Sequence, residues 1–298
     1  MGLFDLFGSK EKRDESALKK QAQRLVQKYG PTENRLKVIE QLADQGTPEA
    51  LGVLCLRFTV VSESTITDAE EKEEARRRLV GAGPTAIGPV KEFIEKQEEG
   101  VSWGLRVLSE LSAPEEIHAT VLALLHRLGR EYARDPDKKL TLLAWLSEHH
   151  DVAHAPAAAG GAAAAGAGAA GAAAAGAGAA GAGAGGASPE GAATGGAAER
   201  EPSSTDAEDA LLPLLEDFSD DVRISTVRVA ARLAPTERTR TALIELLLRD
   251  SDNARVRGEV LAALAKLGAD VKGYRPRVEP LLVEPYYLDR EGTVKKRG

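Results

Sequence analysis

The sequence predicts an all-α fold, an α-solenoid of about six helix pairs behind an N-terminal capping helix. Three observations predict it. Apolar residues recur at helical spacing over most of the 298 residues. The pattern returns about every 34 residues, which is room for two helices and their turns. A proline lies 13 residues after each of three first-helix starts: Arg35 to Pro48, Val101 to Pro114 and Val222 to Pro235. Proline in the first turn of a helix sacrifices no hydrogen bond, so each is expected to open a second helix.

In chain order, Met1 to Gly8 concentrates Leu3, Phe4, Leu6 and Phe7 ahead of a charged run. It is expected to cap the first helical layer, with weak contact of residues 1–8 to a membrane surface as the alternative. The first pair begins near Arg35, with Leu36, Val38, Ile39, Leu42 and Ala43 at helical spacing. An acidic helix follows from about Asp68 to Val80, and Pro84 opens its partner, Thr85 to Gln97. The third pair starts at Val101, with Trp103, Leu105, Val107, Leu108 and Leu111, and continues from Pro114. First-helix starts therefore fall near residues 35, 68, 101 and 136, the last leading into a helix from Lys138 to His150.

The clearest repeat lies near the end of the chain. Val222 to Leu233 carries an apolar stripe, and Asp220 and Asp221 before it complement the positive end of the helix dipole. Val256 to Gly268 restores the pattern after the turn Asp250 to Asn253, and Gly268 suits a helix stop. Between them Glu237 to Arg249 carries Leu243, Ile244, Leu246, Leu247 and Leu248. These segments resemble the HEAT family of helical repeats, whose first helix reads Asp-x-x-Val-Arg-x-x-Ala-x-x-Ala-Leu. Asp220, Asp221, Val222, Arg223 and Ala230 carry the resemblance, as do Val256, Arg257, Ala263 and Leu264. Thr226, Val260 and Asn253 depart from it. The resemblance implies the fold and little about function, because the motif is short and degenerate. Composition rich in Ala, Arg and Gly is that expected of a bacterial chain.

One stretch interrupts the period. Of the 44 residues from Ala155 to Ala198, 25 are Ala and 14 are Gly. This low-complexity tract is expected to be a disordered insertion over residues 155–199, a passive spacer between residues 1–154 and residues 200–298. Lys138 to His150 and Ala207 to Phe218 then become the two helices of one pair, and the solenoid runs on through the insertion. Two solenoids on a tether would leave an unpaired apolar face on each side, and long loop insertions cost little closure entropy.

Candidate chemistry is sparse. His149, His150, Asp151 and His154 have metal-ligand composition, but they fall at an expected helix end, where histidine suits the last carbonyls. No metal site is expected. His118 is expected at the surface and His126 partly buried. Cys55, between Leu54 and Leu56, is expected to be a packed, inert thiol. Trp103 and Trp145 have core spacing. Glu70, Glu71, Glu73 and Glu74 lie three and four residues from Arg76, Arg77 and Arg78, so that helix is expected to present a solvated, charge-laced face. Arg223, Arg228, Arg232, Arg255 and Arg257 are the nearest approach to a basic patch. A net charge of −7 argues against phosphate binding. The tyrosines of Pro285 to Leu288 are expected to cover the last repeat while Lys295, Lys296 and Arg297 stay solvated.

With no nucleotide loop and no serine elbow, no catalytic residue or cofactor is expected. The expectation is a non-enzymatic cytoplasmic scaffold or adaptor that binds a protein or peptide along the face of its second helices. Family resemblance supplies two alternatives, a DNA-binding or DNA-repair protein and a bilin-lyase-like protein.

Overall fold

The computed structural model describes residues 3–129, 132, 135–149 and 204–297. The Ala/Gly tract, His150, Asp151 and His154 lie outside the described residues. The chain is an all-α solenoid, built from α1 (Leu3–Leu25), α2 (Thr32–Gln45), α3 (Pro48–Cys55), α4 (Thr65–Gly81), α5 (Ile87–Lys96), α6 (Val101–Leu111) and α7 (Pro114–Leu128). It continues with α8 (Asp137–Glu148), α9 (Ser204–Leu211), α10 (Asp220–Leu233), α11 (Glu237–Arg249), α12 (Ala254–Leu267) and the short α13 (Arg275–Val278). A two-stranded hairpin, β1 (Tyr286–Leu288) and β2 (Val294–Lys296), follows.

Caps set the boundaries. Thr47, Ser64, Ser219, Thr236 and Asn253 each accept a backbone N–H of the first turn that follows. Gly46 and Gly268 end α2 and α12 in the left-handed region, at φ 60° and 59°. Pro48 and Pro114 open α3 and α7 as expected. Three proline and helix expectations need correction. Pro84 opens a 3-10 turn, Gly83–Ala86, and the α-helix proper starts at Ile87. Pro235 precedes α11 instead of opening it, because the Thr236 side chain takes the cap and Glu237 becomes the first helical residue. The helix expected from Ala207 to Phe218 is α9 followed by a 3-10 turn, Leu212–Glu216, with Pro213 inside the turn. Phe218 lies beyond both.

First helices pack on first helices: α2 on α4, α4 on α6, α8 on α10 and α10 on α12. Among second helices, α3 packs on α5 and α7 on α9, while α1 packs on α2 and α3 as a capping layer. Because each pair is a helical hairpin, turns between pairs share one edge and turns within pairs share the other. The core is two clusters of buried apolar side chains that divide along α10. Val222, Val229, Ala230 and Leu233 join the cluster that reaches back to Leu25, whereas Ile224, Val227 and Ala231 join the cluster that runs on to Val294.

The C-terminal tail is a correction of another kind. Residues 286–296 pair antiparallel, with Tyr287 opposite Lys295, and Asp289 Oδ1 accepts the amides of Glu291 and Thr293 to close the turn. Tyr286 packs on the last core cluster and Val294 is buried in it, but Tyr287 faces outward beneath Arg297.

Gly100, at φ 76°, begins α6, and a Cβ there would lie 2.6 Å from the carbonyl oxygen of Phe58. The left-handed backbone and the close approach both require glycine. Gly100→Ala is expected to cost roughly 1–3 kcal/mol, read as a lower denaturation midpoint.

Candidate functional site

Consecutive first helices touch least where α6 meets α8, and a groove of about 770 Å³ opens there. The sequence makes this opening. Ser102 and Ser109 on α6 face Thr141 and Ala144 on α8, and such small side chains cannot fill the space between two helices. Residues three and four apart on each helix place Leu105 and Trp145 in the lining and Arg106 and Glu148 beside them. Arg76 of α4 closes one end by pairing with Glu73 on its own helix and with Glu110 across on α6. Arg106 lies 4.9 Å from the Trp103 ring centre, and Trp103 stacks on Phe58 at 5.7 Å. Neither Arg106 nor Glu148 forms an ion pair among the described residues. The groove therefore offers a mixed lining of hydroxyl and apolar side chains, with one charge of each sign outside any ion pair among the described residues.

His149 ends α8 at the mouth of this groove. Its ring stacks on Trp145 at 4.3 Å, and Nδ1 donates to the Trp145 carbonyl at 2.9 Å, as the expectation of a histidine at a helix end required. The rest of that histidine group lies outside the described residues. No group of three His, Cys, Asp or Glu among the described residues could hold a metal ion. Trp145 has core burial and is also groove lining, which its spacing alone did not distinguish.

Two histidine expectations are reversed. His118 is 1% exposed and His126 is exposed. His118 shares a stripe with Leu122 and Leu125, four and seven residues on, so that face of α7 turns into the core. Its ring lies 6.5 Å from Trp145, and neither ring nitrogen has a hydrogen-bond partner in the structure. Burial lowers the His118 pKa from its ordinary 6.5. The unfolded chain thus binds this proton more readily than the folded one, so stability is full above about pH 6.5 and falls as pH drops below it. His118→Phe is expected to flatten the dependence of melting temperature on pH between 7.5 and 5, which thermal denaturation at several pH values measures.

Charge is organised differently from the solvated face that the α4 sequence suggests. Glu73 and Glu74 do pair with Arg76, Arg77 and Arg78 along the helix. Glu71, however, is fully buried, because its face of α4 packs on α2. It holds Arg35 through two bonds of 2.8 Å and Arg57 through a third. Arg57, itself 0% exposed, continues to Asp68 at 2.7 Å and to the Val60 carbonyl at 2.9 Å. Burial pushes the Asp68 carboxyl up, yet bonds from Lys72, the Ser62 amide and Arg57 outweigh it and hold the pKa at about 2. Cys55 is buried beside this region, and burial pushes its thiol up to about 12, consistent with an inert side chain.

Cations at the start of first helices recur as pins for the preceding turn. Arg35 donates to the Gln27 and Gly30 carbonyls, Lys139 to Gly129, Arg223 to Asp217 and Arg257 to Ser251, while Lys138 reaches further back, to Glu95 near the end of α5. The other arginines of the possible basic patch are engaged as well. Arg228 pairs with Glu259, Arg255 with Asp221, and Arg232 bonds Ser147. A phosphate would have to displace these partners.

A family model described as HEAT repeats matches residues 208–296, from α9 to the terminal hairpin. That segment is similar to HEAT repeats. Neither the curated proteins nor the solved structures contain a match to the chain. In the HEAT segment, Arg223 and Arg257, which follow the valines of the motif, bond carbonyls of the turn before their own helix, and Arg223 also reaches Asp250 of the next turn. The earlier pairs achieve the same fixation with Arg35 and Lys139, outside the matched residues. Among the described residues, no helix is long and apolar enough to cross a membrane.

Proposed function

We propose that this helical-repeat scaffold is a non-enzymatic adaptor that holds a protein or peptide segment in the groove between α6 and α8. One observation carries the reading: the five arginines that could have formed a basic patch are spent on carboxylates, carbonyls and a serine, while Arg106 and Glu148 beside the groove are not. Neutralised arginines do not favour phosphate, so the DNA-binding alternative loses its footing. A lining of hydroxyl and apolar groups with unpaired charges of both signs suits a polypeptide, whose side chains can meet each in turn.

A photo-crosslinking residue at Ala144, exposed in the groove, tests this. Expected are protein adducts that resist nuclease and weaken when Arg106→Glu and Glu148→Arg are combined. Adducts lost on nuclease treatment, or none above a control probe at exposed Glu237, would sink the reading.

A further inference from the structure

Tyr132 and Phe218 are 72% and 73% exposed, yet their rings meet edge to face at 5.6 Å. They come from successive turns between helix pairs, Tyr132 from the turn before α8 and Phe218 from the turn before α10. The other prominent exposed apolar side chains of the first repeats fall on the same edge. Tyr29 precedes α2, while Val61 and Ile66 flank the start of α4; the three are 70%, 59% and 72% exposed. Large apolar groups left in water at turn after turn mark an interaction surface, and a paired aromatic is its natural anchor.

Charge decides what such a surface receives. Among the described residues, the cations at the starts of first helices are turned inward, since Arg35, Lys139, Arg223 and Arg257 donate to turn carbonyls. Lys28 remains outside, over the Tyr29 ring. Exposed carboxylates are left behind. Glu63, Glu99 and Asp135 follow one another at intervals of 36 residues, one in each turn before α4, α6 and α8. Asp252 occupies the turn before α12. None of the four is in an ion pair among the described residues.

We propose that this edge, centred on Tyr132 and Phe218, docks an extended protein segment carrying basic and apolar residues in alternation. It rests on the protein-binding reading above and gives the adaptor a second face, separate from the groove. Packed helices lie about 8–10 Å apart and an extended chain advances about 3.3 Å per residue. One carboxylate per repeat therefore matches a lysine or arginine at every third position of the partner. An anionic membrane is the wrong occupant for a row of carboxylates.

The probes are fluorescent twelve-residue peptides: Lys-Gly-Leu repeated four times, the same with Glu for Lys, and the same with Ser for Leu. Anisotropy with the full chain is expected to show saturable, salt-sensitive binding of the Lys/Leu peptide, with the other two at least tenfold weaker. Tyr132→Ala with Phe218→Ala is expected to weaken it at least tenfold, as is Glu63→Gln with Glu99→Gln and Asp135→Asn. All five side chains are exposed, so these variants should fold, which circular dichroism checks. Equal binding of the Ser peptide, indifference to the aromatic variant, binding only to phosphatidylserine vesicles, or self-association that the aromatic variant abolishes would each overturn the proposal. Crosslinking at Ala144 reads the groove independently, so an edge that fails leaves the adaptor reading standing, and a groove that fails leaves the edge measurable.

Discussion

Glu71→Ala is expected to cost about 3–5 kcal/mol of folding stability, more than any other single truncation in the first half of the chain. The carboxylate is 0% exposed and is shared by two guanidinium groups, Arg35 at 5% and Arg57 at 0% side-chain exposure. Removing it leaves Arg35 with the Gly30 and Gln27 carbonyls and Arg57 with Asp68, Ser62 and Val60. Two positive charges would then face each other in a site that water cannot enter. The penalty is the cost of stranding charge, not the worth of the ion pair. A variant in which Arg35, Arg57 and Glu71 all become methionine should therefore recover a good part of the loss. Urea denaturation of both variants separates these outcomes. Equal destabilisation in the two would mean that packing, not electrostatics, sets the cost.

The helical architecture was legible in the sequence because its signals are local. Val101 and Glu237 begin helices where the periodicity places them, and Gly268 stops one where only glycine relieves the left-handed turn. What was not legible depends on groups brought together from far apart. Nothing within four residues of Glu71 announces Arg35, 36 positions away, so local pairing rules assigned it to solvent. The groove depends on how little α6 touches α8, a tertiary quantity, although Ser102, Ser109, Thr141 and Ala144 were visible as small residues on apolar helices. His118 could have been found: Leu122 and Leu125 share its stripe, whereas His126 sits a quarter-turn away. The hairpin also left a signal in Asp289 to Gly292, a turn sequence between β-prone Tyr286 and Val294.

Asp217→Ala is expected to cost about 3 kcal/mol and to loosen the join across the Ala/Gly tract. Lys139 on α8, 3% exposed in its side chain, reaches Asp217 at 2.7 Å, although 78 residues separate the two in sequence. The same ammonium group holds the Gly129 carbonyl at the end of α7, and Asp217 in turn accepts the Ser219 amide that leads into α10. One buried pair thus ties together the helix before the tract, the turn after it, and the start of the HEAT-matched first helix. Packing follows the same line, since Leu142 and Leu146 share a buried cluster with Ala207 and Leu211. On the proposal that residues 1–154 and 200–298 form one solenoid, the parent chain should unfold in a single transition, and shortening residues 155–199 should leave that transition in place. Asp217→Ala should split it, with amides of α9 and the 212–216 turn exchanging before those of α4. Adding Lys139→Met to Asp217→Ala should restore much of the stability by removing the stranded charge. Two transitions in the parent chain would mean that the segments fold separately and that the Lys139 pair only decorates their contact.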